Sequence, residues 1–204
     1  MIKLLLFTLG FTVGLFAQVG VYPLTNDIQT LMKKGGSWKK GCPVSLEDLR
    51  YLRIQYHGFD KQTHIGEMIV HKEVADEVVD IFHELYTIGY PIHKMKLISH
   101  YKANDWLSIE ADNTSAFNCR SATGSKKWSK HSYGKAIDIN PIENPYVFRS
   151  GKSSHKASKA YIKRKANHPA VILKNSKICN IFKKYGWKWG GDWHGAKDYQ
   201  HFSK

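Results

Sequence analysis

From Ser129 to Pro141 the chain reads SKHSYGKAIDINP, and no other stretch constrains the fold as much. Gly134 sits in a polar run beside His131 and suits a tight turn, because glycine takes φ > 0 at little cost. Ala136 to Asn140 alternates apolar Ile137 and Ile139 with polar Asp138 and Asn140. That alternation reads as a short strand with the Asp138 carboxylate turned away from the isoleucine face. Pro141 has no N–H for a ladder and stops the strand. An imidazole and a carboxylate are ligand types of a catalytic zinc site, which takes three protein ligands and leaves a fourth position for water. A fold that completes such a site must bring a third ligand to this strand, and His201 in the closing segment WKWGGDWHGAKDYQHFSK is the candidate. Asp198, three residues before it, is placed to accept a proton from metal-bound water without binding the metal.

These residues carry a family resemblance. SxHxxGxAxD followed by DxxHF resembles the signature of the M15 metallopeptidases, which include D-alanyl-D-alanine carboxypeptidases and L-alanyl-D-glutamate endopeptidases of cell-wall hydrolases and endolysins. The resemblance extends upstream through GCPVSLEDLRYL, YHGFD and NTSAFNCR, from about Gly41 onward. It implies an α+β fold of the DD-peptidase/hedgehog-like type, an antiparallel sheet flanked by helices. It also implies Zn2+ held by His131, Asp138 and His201, with Asp198 as general base and Ser129 in contact with substrate. Arg120 is the expected grip on a substrate carboxylate, since a planar guanidinium binds one bidentately and the resemblance points the same way. Trp193 is expected to line the substrate groove. There is one departure: the family's dipeptide carboxypeptidases carry a glutamate ahead of a Trp-His pair, and here Trp193-His194 has Gly191 in that place. Asp198 with His201 looks more like the endopeptidase branch.

Length and composition set the frame. The chain has 204 residues, 42% hydrophobic and 24% charged, ordinary globular usage and enough for one domain with a core, which excludes disorder over the whole length. Met1 to Gln18 has one basic residue and a short uncharged apolar run, which fits a secretory signal with Ala17 as the cleavage edge better than an uncleaved membrane anchor. The expected organisation is a signal over 1–18, an N-terminal extension over 19–40 and a peptidase domain over 41–204, exported to the periplasm or cell envelope as a monomer with no stable transmembrane span. Three cysteines, Cys42, Cys119 and Cys179, allow one disulfide in any of three pairings, or three buried thiols. No CxxC spacing exists for a cysteine-rich zinc site. A net charge of +14 favours anionic partners; charge alone does not choose among nucleic acid, lipid head groups and wall polymer.

Along the chain, IQTLMKK reads as a short helix with Asn26 as its cap, followed by a mobile connection through Gly35, Gly36 and Gly41. Ser45 to Leu52 starts a helix or turns into a strand. Leu52–Gly58 and Gly66–His71 form a hairpin. Lys72 to Tyr90 has apolar residues at Val74, Val78, Ile81, Phe82, Leu85 and Ile88, a helical stripe that should lie over the hairpin. His57, His64, His71, His83 and His93 lack the spacing and partner carboxylate of the later site and are expected not to be ligands. Lys94–His100 is consistent with a strand, Tyr101–Trp128 with a long loop, and Asn144–Lys165 with a flexible basic loop. A helix through ICNIFKKYG ends at Gly186, and Trp187 and Trp189 lead a strand back to the site.

The expected activity is zinc-dependent hydrolysis of a peptidoglycan stem peptide, of the L-alanyl-D-glutamate endopeptidase or the D-alanyl-D-alanine carboxypeptidase type. Two alternatives compete: a catalytically inactive, metal-containing cell-wall binding module, in which Asp198 would have no task, and a basic nucleic-acid binder, which leaves the His-Asp-His set unexplained. No nucleic-acid partner is expected.

Overall fold

The computed structural model of the protein describes residues 18–165 and 167–204; the expected signal segment falls outside these apart from Gln18. In chain order come β1 (Gly20–Pro23), α1 (Asn26–Lys34), β2 (Leu49–His57), β3 (Thr63–His71), α2 (Ala75–Thr87), β4 (Lys94–Met95), α3 (Asp105–Glu110), β5 (Asn113–Thr114), β6 (Ala136–Asp138), β7 (Tyr146–Val147), α4 (Lys177–Lys184), β8 (Lys188–Trp189), β9 (Lys197–Asp198) and β10 (His201–Ser203). The architecture mixes helices with antiparallel sheets and is compatible with α+β. Instead of one sheet there are two three-stranded antiparallel sheets, ordered β1-β2-β3 and β6-β10-β8, an antiparallel pair β7-β9 and a parallel pair β4-β5.

The hairpin forms as its alternation predicts, with Leu49 to His57 paired to Thr63 to His71. Helix α2 buries Val78, Ile81, Phe82 and Leu85 and packs on β2. Its stripe ends one turn early: Ile88 caps the helix and is exposed, since Gly89 at φ 70° turns the chain away. Both three-stranded sheets share one core, in which Leu52, Val70 and Phe82 meet Ile137, Ile139, Phe182 and Phe202. The Phe182 and Phe202 rings stack at 3.9 Å, tying α4 to β10.

Several local readings are corrected. Val21 and Tyr22 lie in β1, which adds to the hairpin a strand that the sequence reading does not contain. The cap of α1 is Thr25, whose hydroxyl accepts from the Ile28 N–H at 3.3 Å; a cap must precede the first helical residue. Of the two alternatives for Ser45 to Leu52, the turn into a strand is the one found, with Leu46–Asp48 a single 3-10 turn leading into β2. Only Lys94 and Met95 of the expected strand pair, the rest becoming a 3-10 turn over Ile98–Tyr101. The expected loop from Tyr101 contains α3, capped by Asn104, whose side chain accepts from the Leu107 N–H.

The basic segment 144–165 is anchored at both ends of its course. Arg164 donates to the Asn144 side chain and the Ile172 carbonyl, both at 2.7 Å, and lies 4.5 Å over the Tyr199 ring. His155 is buried between the Trp106 ring, at 4.1 Å, and the Glu110 carboxylate. A disulfide joins Cys42 to Cys119, leaving Cys179 as a buried free thiol. Among the described residues no helix is long and apolar enough to cross a membrane.

Candidate metal centre and active-site cleft

Strand pairing builds the centre. In the β6–β10 register His201 stands directly opposite Asp138, which is how two residues 63 apart in sequence come to share a point. His131 arrives from the turn before β6. Ser129 caps that turn, its hydroxyl accepting from the His131 N–H at 3.3 Å, and Gly134 closes it at φ 64°. A Cβ on Gly134 would lie 2.5 Å from the His71 backbone nitrogen, whose N–H donates to the Gly134 carbonyl at 2.9 Å. Only glycine satisfies both the dihedral and the approach.

His131 Nε2 lies 3.2 Å from Asp138 Oδ2 and 3.2 Å from His201 Nδ1, and His201 Nδ1 lies 3.0 Å from Asp138 Oδ1. One ligand atom from each residue thus falls within 4.8 Å of the others. His131 Nδ1 lies 2.6 Å from the Ala116 carbonyl. That bond places the ring proton on Nδ1 and leaves Nε2 with its lone pair toward the cluster, the outer contact expected of a metal-binding histidine. The two imidazoles are buried and the Asp138 side chain is partly so. Burial opposes the charged form of Asp138, yet the two imidazoles hold its carboxyl far below the usual range. Burial likewise works against the His131 imidazolium, but the Asp138 carboxylate outweighs it and the pKa is raised. Two imidazole nitrogens and a carboxylate oxygen, buried and convergent, fit a divalent ion of the zinc type. His57, His64, His71, His83 and His93 are not in this cluster.

Asp198 stands beside it on β9. Burial, reinforced by the Asp138 charge, raises its pKa to about 7, and its Oδ1 is buried without a hydrogen-bond partner. A buried carboxylate oxygen with no partner is costly, and Asp198 is among the residues that line the cleft. Gly190 permits this placement, since a Cβ there would lie 2.5 Å from the Asp198 carbonyl oxygen.

The cleft measures about 620 Å³ and is lined by all the expected site residues, Arg120, Ser129 and Trp193 with His131, Asp138, Asp198 and His201. Arg120 is ion-paired to Asp105, which also accepts from the Asn118 side chain at 2.8 Å. Its backbone N–H donates to Ser132 Oγ at 2.9 Å, and its neighbour Cys119 is held by the disulfide. The Trp193 ring lies 5.3 Å from that of His201. Sequence reasoning missed Asp105, Ser132 and Ala116, which hold Arg120 and His131 in place. The only trace of Asp105 is its position after Asn104, an Asn-Asp start that a helix favours; a backbone carbonyl such as that of Ala116 leaves none.

Residues 123–204 match the model of a peptidase family described as D-alanyl-D-alanine carboxypeptidase. This match supports an M15 family peptidase over the C-terminal part of the chain. The match contains both halves of the metal-ligand motif and begins after Arg120, so the upstream segments of the resemblance lie outside it. No curated protein and no solved structure matches the chain.

Proposed function

We propose that this M15 domain is a zinc-dependent peptidase acting on peptidoglycan stem peptides, on the side of the L-alanyl-D-glutamate endopeptidases. The observation that carries the reading is the convergence of His131, Asp138 and His201 beside Asp198, whose Oδ1 is buried without a partner, in the lining of an open cleft. His131, Asp138 and His201 would hold the ion. Zinc bound there supplies a lowered water pKa, from about 15.7 to roughly 7, and polarisation of a carbonyl.

The chain's own groups do the rest. Asp198, with its pKa near 7, is matched to taking a proton at its carboxylate and returning it to the departing amine. Arg120, aimed by Asp105, takes the carboxylate of the C-terminal half of the substrate. Ser129 fixes the His131 turn through its hydroxyl, and Trp193 walls the cleft beside His201. The absence of a glutamate at Gly191 and the aspartate at 198 support the endopeptidase type. The Cys42–Cys119 bridge supports an oxidising compartment, hence export to the periplasm or envelope.

Digestion of purified peptidoglycan with the zinc-loaded protein, followed by mass analysis, tests this. A released stem peptide beginning with glutamate is the expected product. Loss of a terminal alanine reassigns the bond to the carboxypeptidase type, and no cleavage with zinc bound would leave a wall-binding module instead.

A further inference from the structure

Six aromatic side chains among the described residues are more than a third exposed, and five of them, Trp106, Trp128, Tyr146, Phe148 and Trp193, line the cleft. Scattered exposed rings need no explanation, whereas a concentration of them marks a binding surface.

The rings fall into two groups by their neighbours. Trp106 and Trp128 adjoin the residues that hold Arg120: Trp106 follows Asp105, the partner of Arg120, and Trp128 precedes Ser129, whose N–H donates to the Arg120 carbonyl. Tyr146, Phe148 and Trp193 adjoin the Asp198 strand and the ligand cluster. Tyr146 is paired with Asp198 across β7–β9, its ring meets Phe148 edge-on at 5.1 Å, and Trp193 stands against His201.

Resting on the peptidase reading above, we propose that Tyr146, Phe148 and Trp193 form a saccharide platform, so that the stem peptide is taken while still attached to a sugar of the glycan strand and is cut at a bond close to that sugar. With Arg120 holding the C-terminal half, the rings that adjoin the ligand cluster and not Arg120 are the ones left for the N-terminal half, which carries the sugar. A pyranose presents one face of C–H groups that lies flat on an aromatic ring while its hydroxyls stay in water, and such partly exposed rings match it. Reach decides the bond. An extended peptide spans at most about 3.3–3.6 Å per residue, so a sugar four residues from the cut would lie about 13 Å away, whereas one residue would place it within about 4 Å. Rings touching His201 and paired with Asp198 fit the second case. Lys126 and Lys127 beside Trp128 and Arg149 beside Phe148 also resemble the basic, aromatic grooves that take single-stranded nucleic acid. The ligand cluster and Asp198 in the same cleft favour a substrate with a scissile carbonyl.

The test compares kcat/KM of the zinc-loaded full chain on a free stem tetrapeptide and on the same peptide carrying its N-acetylmuramyl sugar. A parallel titration follows tryptophan fluorescence of the metal-free chain with an N-acetylated oligosaccharide and with oligo(dT). We expect at least a tenfold preference for the sugar-bearing peptide, about 1.4 kcal/mol, cut to within threefold in Phe148→Ala and restored in Phe148→Trp, while Trp128→Ala keeps it. Equal cleavage of both peptides overturns the platform and leaves the peptidase reading intact. Saccharide binding that Phe148→Ala weakens, with neither peptide cut, supports the platform and removes the peptidase reading. Oligo(dT) binding without saccharide binding, or no binding and no cleavage, overturns it.

Discussion

Replacing Cys42 and Cys119 with serine opens a loop of 77 residues and should cost more stability than any surface change. With chain entropy lost on closure of about 2.1 + 1.5R ln n cal/mol/K, a loop of that length contributes about 4.5 kcal/mol at 25 °C. The packing around the bridge survives its removal: Met32, Leu49, Ile69, Leu97 and Phe117 still form the second core, and the Cys119 N–H bond to the Ser37 carbonyl at 2.9 Å needs no sulfur. A loss of about 2–5 kcal/mol is therefore expected. Denaturant unfolding of the oxidised protein against the Cys42→Ser/Cys119→Ser variant measures it, read from the midpoint at constant slope. Because Cys119 adjoins Arg120, whose N–H is held only by Ser132 Oγ, KM on a stem peptide should rise in the variant while kcat changes less. A thiol reagent should label Cys179, buried in the core, only after unfolding. A stability loss under about 1 kcal/mol, or two labelled thiols in the untreated native protein, would refute the reasoning.

Three further outcomes follow from the same structure. Asp198→Ala should lower kcat by about 10²–10⁴ while zinc content, measured by atomic absorption, stays at the unsubstituted level. Gly134→Ala forces an L-residue to φ 64° and brings its Cβ to 2.5 Å from His71 N; a loss of about 1–2 kcal/mol from the dihedral alone, plus weaker zinc binding, should appear in thermal melts and metal titration. Glu143, buried beside Asp112, has its pKa raised by burial and by that carboxylate from 4.5 to about 8. Between those values the native state keeps a proton that the unfolded chain has lost, so stability should fall as pH rises through this window, and Glu143→Gln should flatten denaturation midpoints measured from pH 5 to 8.5.

What the chain reveals before folding is whatever has a period. The hairpin and α2 are legible because nine-residue strands and a three-turn stripe repeat long enough to register. The candidate metal ligands are legible because they belong to a turn and strand with clear patterning and to a second short motif. Two-residue strands such as β4, β5, β7 and β9 have no room for a period. They exist because neighbouring chain covers them, as Tyr146 is paired with Asp198. The basic segment 144–165 read as loose since its anchors, Arg164 on Tyr199 and His155 on Trp106, are single long-range contacts. The cysteine pairing needed the approach of Cys42 to Cys119, which no spacing announces.

The central claim is that His131, Asp138 and His201 hold one catalytic ion. Titration of the metal-free full chain with Zn2+ by calorimetry tests it most directly. One tight site per chain is predicted in the unsubstituted protein, lost in His131→Ala and in His201→Ala and kept in His93→Ala; a tight site that survives both of the first two substitutions would contradict it.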